Sequence, residues 1–195
     1  MIDLKIEIDD EVMEFNIPES WAEVTVEQYI DSLKIDRDNL KEIDIMIELL
    51  GVFCDVDRDI VEQMPYDKFN ELILVLSFTN EPIKEELADS VMVGEEEYFL
   101  KKDFTSLTMG EIISVEALIG SHEDLSMAIP ELLCIFLRKK KENGKLEKFK
   151  SSFLKRADSF KKLSIESVHQ VFFYFSDGKN LSLDNMKDSL EKEEK

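Results

Sequence analysis

Residues 24–30 read Val-Thr-Val-Glu-Gln-Tyr-Ile, and residues 107–113 read Leu-Thr-Met-Gly-Glu-Ile-Ile. In each stretch a threonine stands three residues before a Gln or Glu: Thr25 with Gln28, Thr108 with Glu111. That is capping-box spacing. The threonine oxygen accepts from the N3 amide, and the Gln or Glu side chain reaches back to the cap's own amide. Val24 with Tyr29, and Leu107 with Ile112, take hydrophobic-staple positions around the cap. Each stretch therefore predicts a helix start. Apolar residues at helical spacing follow: Val26, Tyr29, Ile30 and Leu33 in the first, Met109, Ile112, Ile113 and Ala117 in the second.

The two starts lie 83 residues apart, and other features share that offset. Glu14–Ile17 falls on Glu97–Leu100, Trp21 on Phe104, and Glu48–Phe53 on Glu131–Phe136. After Phe136 the register slips by 16 residues, so that Met64–Phe69 matches Leu163–Val168 and Leu72–Ser77 matches Val171–Ser176. The shared order and register argue for an internal duplication.

Each copy opens with a predicted hairpin. Leu4, Ile6 and Ile8 alternate with polar residues, and Asp9-Asp10 turns the chain into Val12–Ile17; in the second copy Ser90–Val93 and Glu97–Leu100 flank Gly94-Glu95. A second helix carries Ile43, Ile47, Leu50 and Cys54, and its counterpart runs from Ile129 through Leu137 into a basic segment. A third carries Phe69, Leu72, Ile73 and Leu76, matched by Val168, Val171, Phe172 and Phe175 after a Ser164 cap. The expected fold is α+β, mainly helical, a tandem duplication of a β-hairpin plus three-helix unit. Its units are 1–83 and 84–184, the second with a basic insertion near 138–157, followed by a charged tail at 185–195.

Composition bounds the function. Of 195 residues 44% are apolar, enough for a packed core. The 44 acidic residues against 24 basic leave a net charge of −20, which repels phosphate and argues against nucleic-acid binding by the whole chain. Two cysteines exclude a disulfide scaffold, and no apolar run approaches the roughly 20 residues of a membrane span. The N-terminal residues lack the pattern of a signal peptide.

No catalytic constellation emerges. His122 and His169 lack a neighbouring nucleophile-and-carboxylate pattern. Asp55-Val56-Asp57-Arg58-Asp59 resembles the start of a calcium loop, but Ile60 stands where the turn needs Gly and Tyr66 where a bidentate Glu is needed. An acidic loop capping a short helix is the simpler reading. Cys54 and Cys134 lie on apolar helical stretches and read as core. No Walker loop or dinucleotide fingerprint exists. The expectation is a non-enzyme with no cofactor, no metal and no small-molecule substrate.

The segment 138–162 is the one strongly basic stretch, with 11 Lys and Arg against Glu142, Glu147 and Asp158. Arg138 to Lys141 reads as the continuation of a buried helix, interrupted later by Phe149, Phe153, Leu154 and Phe160. Basic plus aromatic residues suit RNA or DNA contact, or docking on an acidic partner, another copy's acidic half included; docking is favoured because the other half of the chain would repel phosphate. A solvated helix with its aromatics in the core is the competing reading. Candidate partner-binding residues are Trp21, Arg138, Lys139, Lys140, Lys141, Lys145 and Lys148.

The run Phe15–Trp21 (Phe-Asn-Ile-Pro-Glu-Ser-Trp) followed by Val24–Ile30 resembles small proteins of tailed-phage structural modules, in which a strand, a Pro-x-Ser-Trp loop and a Thr-capped helix succeed one another. The second copy departs from the pattern, with Phe104 for the tryptophan and Glu111-Ile112 for Gln-Tyr. The resemblance implies a tail-assembly chaperone or a head–tail, tail or baseplate component. It would act by protein–protein contacts with other phage structural proteins or by self-association, in the host cytoplasm during assembly or in the virion. The alternative is an acidic mimic of DNA that inhibits a host DNA-binding protein; the basic insertion interrupts the negative track such a mimic needs.

Overall fold

A computed structural model describes residues 1–8, 11–83, 89–101, 107–122 and 124–169. The fold is α+β and mainly helical, with two small antiparallel sheets among the described residues. The chain divides into two compact units, one of residues 1–84 together with 164–166, the other of 85–163 and 167–195.

The first unit opens with strands β1 (Ile2–Ile8) and β2 (Glu11–Ile17), paired so that Leu4 faces Phe15 and Ile6 faces Met13. The alternation puts Ile6, Phe15 and Ile17 into the core. Helix α1 (Val26–Leu33) carries both arms of the predicted box: the Gln28 amide donates to Thr25 Oγ1 at 3.1 Å, and the Thr25 amide donates to Gln28 Oε1 at 3.0 Å. Helix α2 (Glu42–Cys54) ends on Asp55 in the left-handed region, and Val56 donates back to the Gly51 carbonyl at 3.0 Å. A Cβ on Gly51 would stand 3.1 Å from the Val56 oxygen, so the close return of the chain favours glycine there. Helices α3 (Arg58–Glu62) and α4 (Tyr66–Val75) and a 3₁₀ turn (Leu76–Asn80) complete the unit. Its described residues therefore form four α-helices, because the acidic loop at 55–59 opens the extra short helix with Asp57 as its N-cap. Residues 164–166 add a bridge from Ser164 to Thr25, and Ile165 donates to the Val24 carbonyl at 2.8 Å.

The second unit repeats the opening. Strands β3 (Ser90–Val93) and β4 (Glu96–Leu100) flank a turn at Gly94, and Tyr98 and Leu100 are buried 83 positions after buried Phe15 and Ile17. Helix α5 (Met109–Ser121) has the second box, with Thr108 and Glu111 in the roles of Thr25 and Gln28. Helix α6 (Ile129–Phe136) starts with Pro130 in its first turn, where no intrahelical N–H is needed, and is apolar and buried along nearly its whole length. Two buried aromatics, Phe53 and Phe136, stand 83 residues apart near the ends of α2 and α6.

Two expectations are corrected here. The helix does not continue into the basic segment. It stops at Phe136, and Leu137–Arg138 form a third strand, β5, on the edge of β4, with Phe99 opposite Arg138 and Leu100 opposite Leu137. An open sheet edge and a buried acceptor for Arg138 both favour extended backbone over another helical turn. The inward face of α5 also differs from the predicted stripe. Glu111, Ile112, Val115 and Leu118 are buried, whereas Met109 (68% exposed), Ile113 (58%) and Ala117 face outward. Glu111 points inward toward its ion-pair partners, and the rest of the helix face follows.

Beyond β5 the chain forms a short hairpin, a 3₁₀ turn (Ser151–Arg156) and helix α7 (Ala157–Phe160); residues 165–169 are helical. Phe104, the predicted third helix of the second unit past residue 169, and the tail at 185–195 lie outside the described residues.

Candidate protein-interaction site

Helix α6 is apolar nearly all round, a composition that suits full enclosure, and α2 is apolar apart from Glu42, Asp44 and Glu48. Helix α6 is enclosed, with Leu133, Ile135 and Phe136 inaccessible. Helix α2 is not. It buries Leu50, Phe53 and Cys54, but Ile43 is 47% exposed and Ile45, Met46, Ile47 and Leu49 are half-buried. Beside it Leu74 of α4 is 74% exposed. Trp21, Ile45, Met46, Leu49, Ile73 and Leu74 line a groove of about 390 Å³ in the first unit, with Arg37 and Glu42 also on its walls.

Trp21 is placed by three contacts. Its ring meets Tyr29 edge-on at 5.9 Å and Phe78 at 5.3 Å, and its Nε1–H donates to the Glu81 carbonyl at 2.9 Å. One end of the indole is therefore fixed while part of the ring borders the groove, the arrangement of an amphipathic aromatic at a recognition surface. Of the residues chosen from sequence, Trp21 lies at this site. Met46, Leu49 and Leu74 were not singled out, and Ile73 was read only as part of the apolar face of its helix. The legible signal was the near-continuous apolar run of α2, which one small unit could not wholly bury.

The basic residues divide into two groups. Arg138, one of the candidate partner-binding residues, is 1% exposed and so offers no charge to a partner, which corrects its selection. Its guanidinium donates to the carbonyls of Cys134 (2.8 Å) and Leu137 (3.1 Å) and to Glu111 Oε1 (3.0 Å), and lies over Phe149 and Phe153. Burial by itself pushes the Glu111 carboxyl up. The Lys101 ammonium at 2.8 Å and the Thr108 amide and hydroxyl outweigh it and hold the group below the usual carboxylate range. Lys139 pairs with Glu96 and lies over Tyr98, Lys140 stacks on Phe99 at 3.4 Å from the ring centre, and Arg156 pairs with Glu147 at 2.6 Å.

Lys161 pairs with Asp158 at 2.9 Å, and five further lysines serve no such purpose. Lys141, Lys145, Lys148, Lys150 and Lys155 are exposed, with no ion pair to a carboxylate among the described residues. The backbone that carries the first three is ordered by Lys141 N–H to the Lys145 carbonyl (2.9 Å), Glu147 N–H to the Lys139 carbonyl (2.9 Å) and a Lys140–Leu146 bridge. Gly144, at φ 75°, turns the tip.

Neither cysteine faces solvent; burial pushes both thiols up to about 12. His122 caps the C-terminus of α5, and His169 is buried. Among the described residues no group of three or more His, Cys, Asp or Glu is arranged to hold a metal ion. No helix there is long and apolar enough to cross a membrane. Comparison with family models, with curated proteins and with solved structures finds no match.

Proposed function

We propose that the chain is a non-enzymatic assembly or virion-interaction protein of a tailed phage, acting through protein–protein contacts. The observation that carries this reading is the open groove along α2, where Met46, Leu49, Ile73 and Leu74 present apolar surface beside an anchored Trp21. Burying one such aliphatic side chain contributes about 1.5–3 kcal/mol, so three or four suffice for an interface centre. The occupant we assign is an amphipathic helix of another structural protein, with an apolar stripe for the groove and Lys or Arg on its flanks. Residues 1–84 hold 22 acidic and 7 basic residues, so cationic flanks complement the surroundings. The resemblance of Phe15–Ile30 to proteins of tailed-phage structural modules supports the biological setting.

The test is photocrosslinking from position 74 in the full-length chain, expressed together with the phage structural genes, with mass spectrometry of the products. Crosslinks to one structural protein, lost on Met46→Asp, are expected. Crosslinks to none of the structural proteins, or crosslinks indifferent to Met46→Asp, would overturn the reading.

A further inference from the structure

We infer that the lysine hairpin at residues 139–150 docks on the acidic first unit of a second copy of the chain, joining copies head to tail. The inference rests on the reading of the chain as an interaction protein, and it names a second surface and its partner.

Charge is segregated along the sequence. Residues 1–84 carry a net −15, while residues 138–162, with 11 basic and 3 acidic, carry +8. The second unit uses Arg138, Lys139, Lys140 and Arg156 internally, each against a carboxylate, a carbonyl or an aromatic ring. These contacts brace the base of the hairpin and leave the charges of Lys141, Lys145 and Lys148 in solvent. A braced cationic ridge loses little entropy when it meets an anionic surface.

The first unit supplies such a surface. Asp55, Asp57 and Asp59 are exposed, and one guanidinium, Arg58, is shared by Asp44 (2.6 Å), Glu48 (2.7 Å) and Glu62 (2.6 Å). Three carboxylates thus share a single cation, and three more, exposed, lie within three residues of it in the sequence. Nucleic acid is the disfavoured occupant of the ridge, since its phosphates would meet a chain of net charge −20. A second copy brings an acidic face of complementary sign at the same concentration. Ridge and face are different patches, so the contact is heterologous, and a pair retains one of each for further copies.

Sedimentation velocity of the full-length chain tests this at about 20 mM and about 300 mM salt, across which screening removes most long-range attraction. Concentration-dependent association is expected at low salt and its loss at high salt. Two variants decide the geometry. The ridge variant is Lys141→Glu, Lys145→Glu, Lys148→Glu. The face variant is Asp55→Asn, Asp57→Asn, Asp59→Lys, in which asparagine suits both the left-handed position and the helix cap. Each variant alone should be monomeric, with a wild-type circular dichroism spectrum. Mixed in equal amounts they should form a dimer and go no further, because only the intact ridge of one and the intact face of the other can meet.

A wild type that stays monomeric at low salt, either variant associating like wild type, or an inert mixture would overturn the inference. So would low-salt binding of duplex DNA that the ridge variant loses. A monomeric wild type that still crosslinks a structural protein from position 74 would end this inference and leave the groove reading standing. Association without such crosslinks would do the reverse for the groove.

Discussion

Glu111 accepts a hydrogen bond from the Arg138 guanidinium at 3.0 Å, with both side chains almost wholly enclosed. In the first unit the same helix position, 83 residues earlier, is Gln28, whose amide donates directly to the carbonyl of Phe53 at 3.1 Å, near the end of α2. A carboxylate cannot donate. In the second unit an arginine stands between the acid and the end of α6, donating to Glu111 and to the Cys134 carbonyl together. The unit with a carboxylate at this cap position thus has a buried cation and a third strand beside it, and its helix buries a different face.

The first prediction concerns this pair. Glu111→Gln removes the countercharge and leaves Arg138 enclosed, which should cost about 3–5 kcal/mol in urea denaturation. The double variant Glu111→Gln, Arg138→Met replaces the ion pair by an amide and an apolar chain and should recover most of that loss. A single variant as stable as wild type would show that the guanidinium is solvated after all.

Local features were legible in the sequence, and distant ones were not. Both capping boxes involve atoms within four residues of each other, so spacing alone identifies them. The hairpins were legible for the same reason, the first through the alternation of Leu4, Ile6 and Ile8 with polar neighbours and the second through its turn at Gly94-Glu95. Strand β5 was hidden. Leu137–Arg138 follows an apolar helix without alternation, and its conformation answers to β4 and to Glu111, 27 positions away. The groove was half-legible. The apolar run of α2 was plain, but which of its faces remained open depended on where α4 packed.

Stability should rise with pH in two windows. His169 is held below its ordinary 6.5 by burial, so the unfolded chain takes up a proton first as pH falls below about 6.5, and the native state is progressively disfavoured. Glu111 and Glu147 are raised by burial but held below 4.5 on balance, chiefly by Lys101 and by Arg156 respectively. Their stabilisation is complete above about 4.5 and is lost as pH falls through their native values. Thermal melts from pH 7.5 to 3 should show midpoints falling through both windows, and His169→Gln should flatten only the upper one. A midpoint that rises on acidification would contradict both assignments.

The thiols report unfolding. Cys54 and Cys134 are buried, and burial pushes both up to about 12, so at pH 8 neither offers thiolate to solvent. Labelling with an aromatic disulfide reagent should be slow in buffer and should accelerate with urea in step with loss of the circular dichroism signal. Fast reaction of one thiol in the native state would mark a local opening of α2 or α6.

Trp21 is the only tryptophan, which makes it both a structural element and a probe. It is half-buried, so Trp21→Ala should cost less than a fully enclosed aromatic does, about 2–3 kcal/mol, through lost packing on Tyr29 and Phe78. Trp21→Phe keeps most of that packing but loses the bond to the Glu81 carbonyl, a difference of about 1 kcal/mol. Because the indole borders the groove, occupation by an amphipathic helix peptide should shift its emission to the blue as water leaves the exposed edge. Leu74→Asp lies on the same groove but is 74% exposed, so it should leave the melting curve unchanged while abolishing the shift. An emission shift that survives Leu74→Asp would place the peptide elsewhere on the surface.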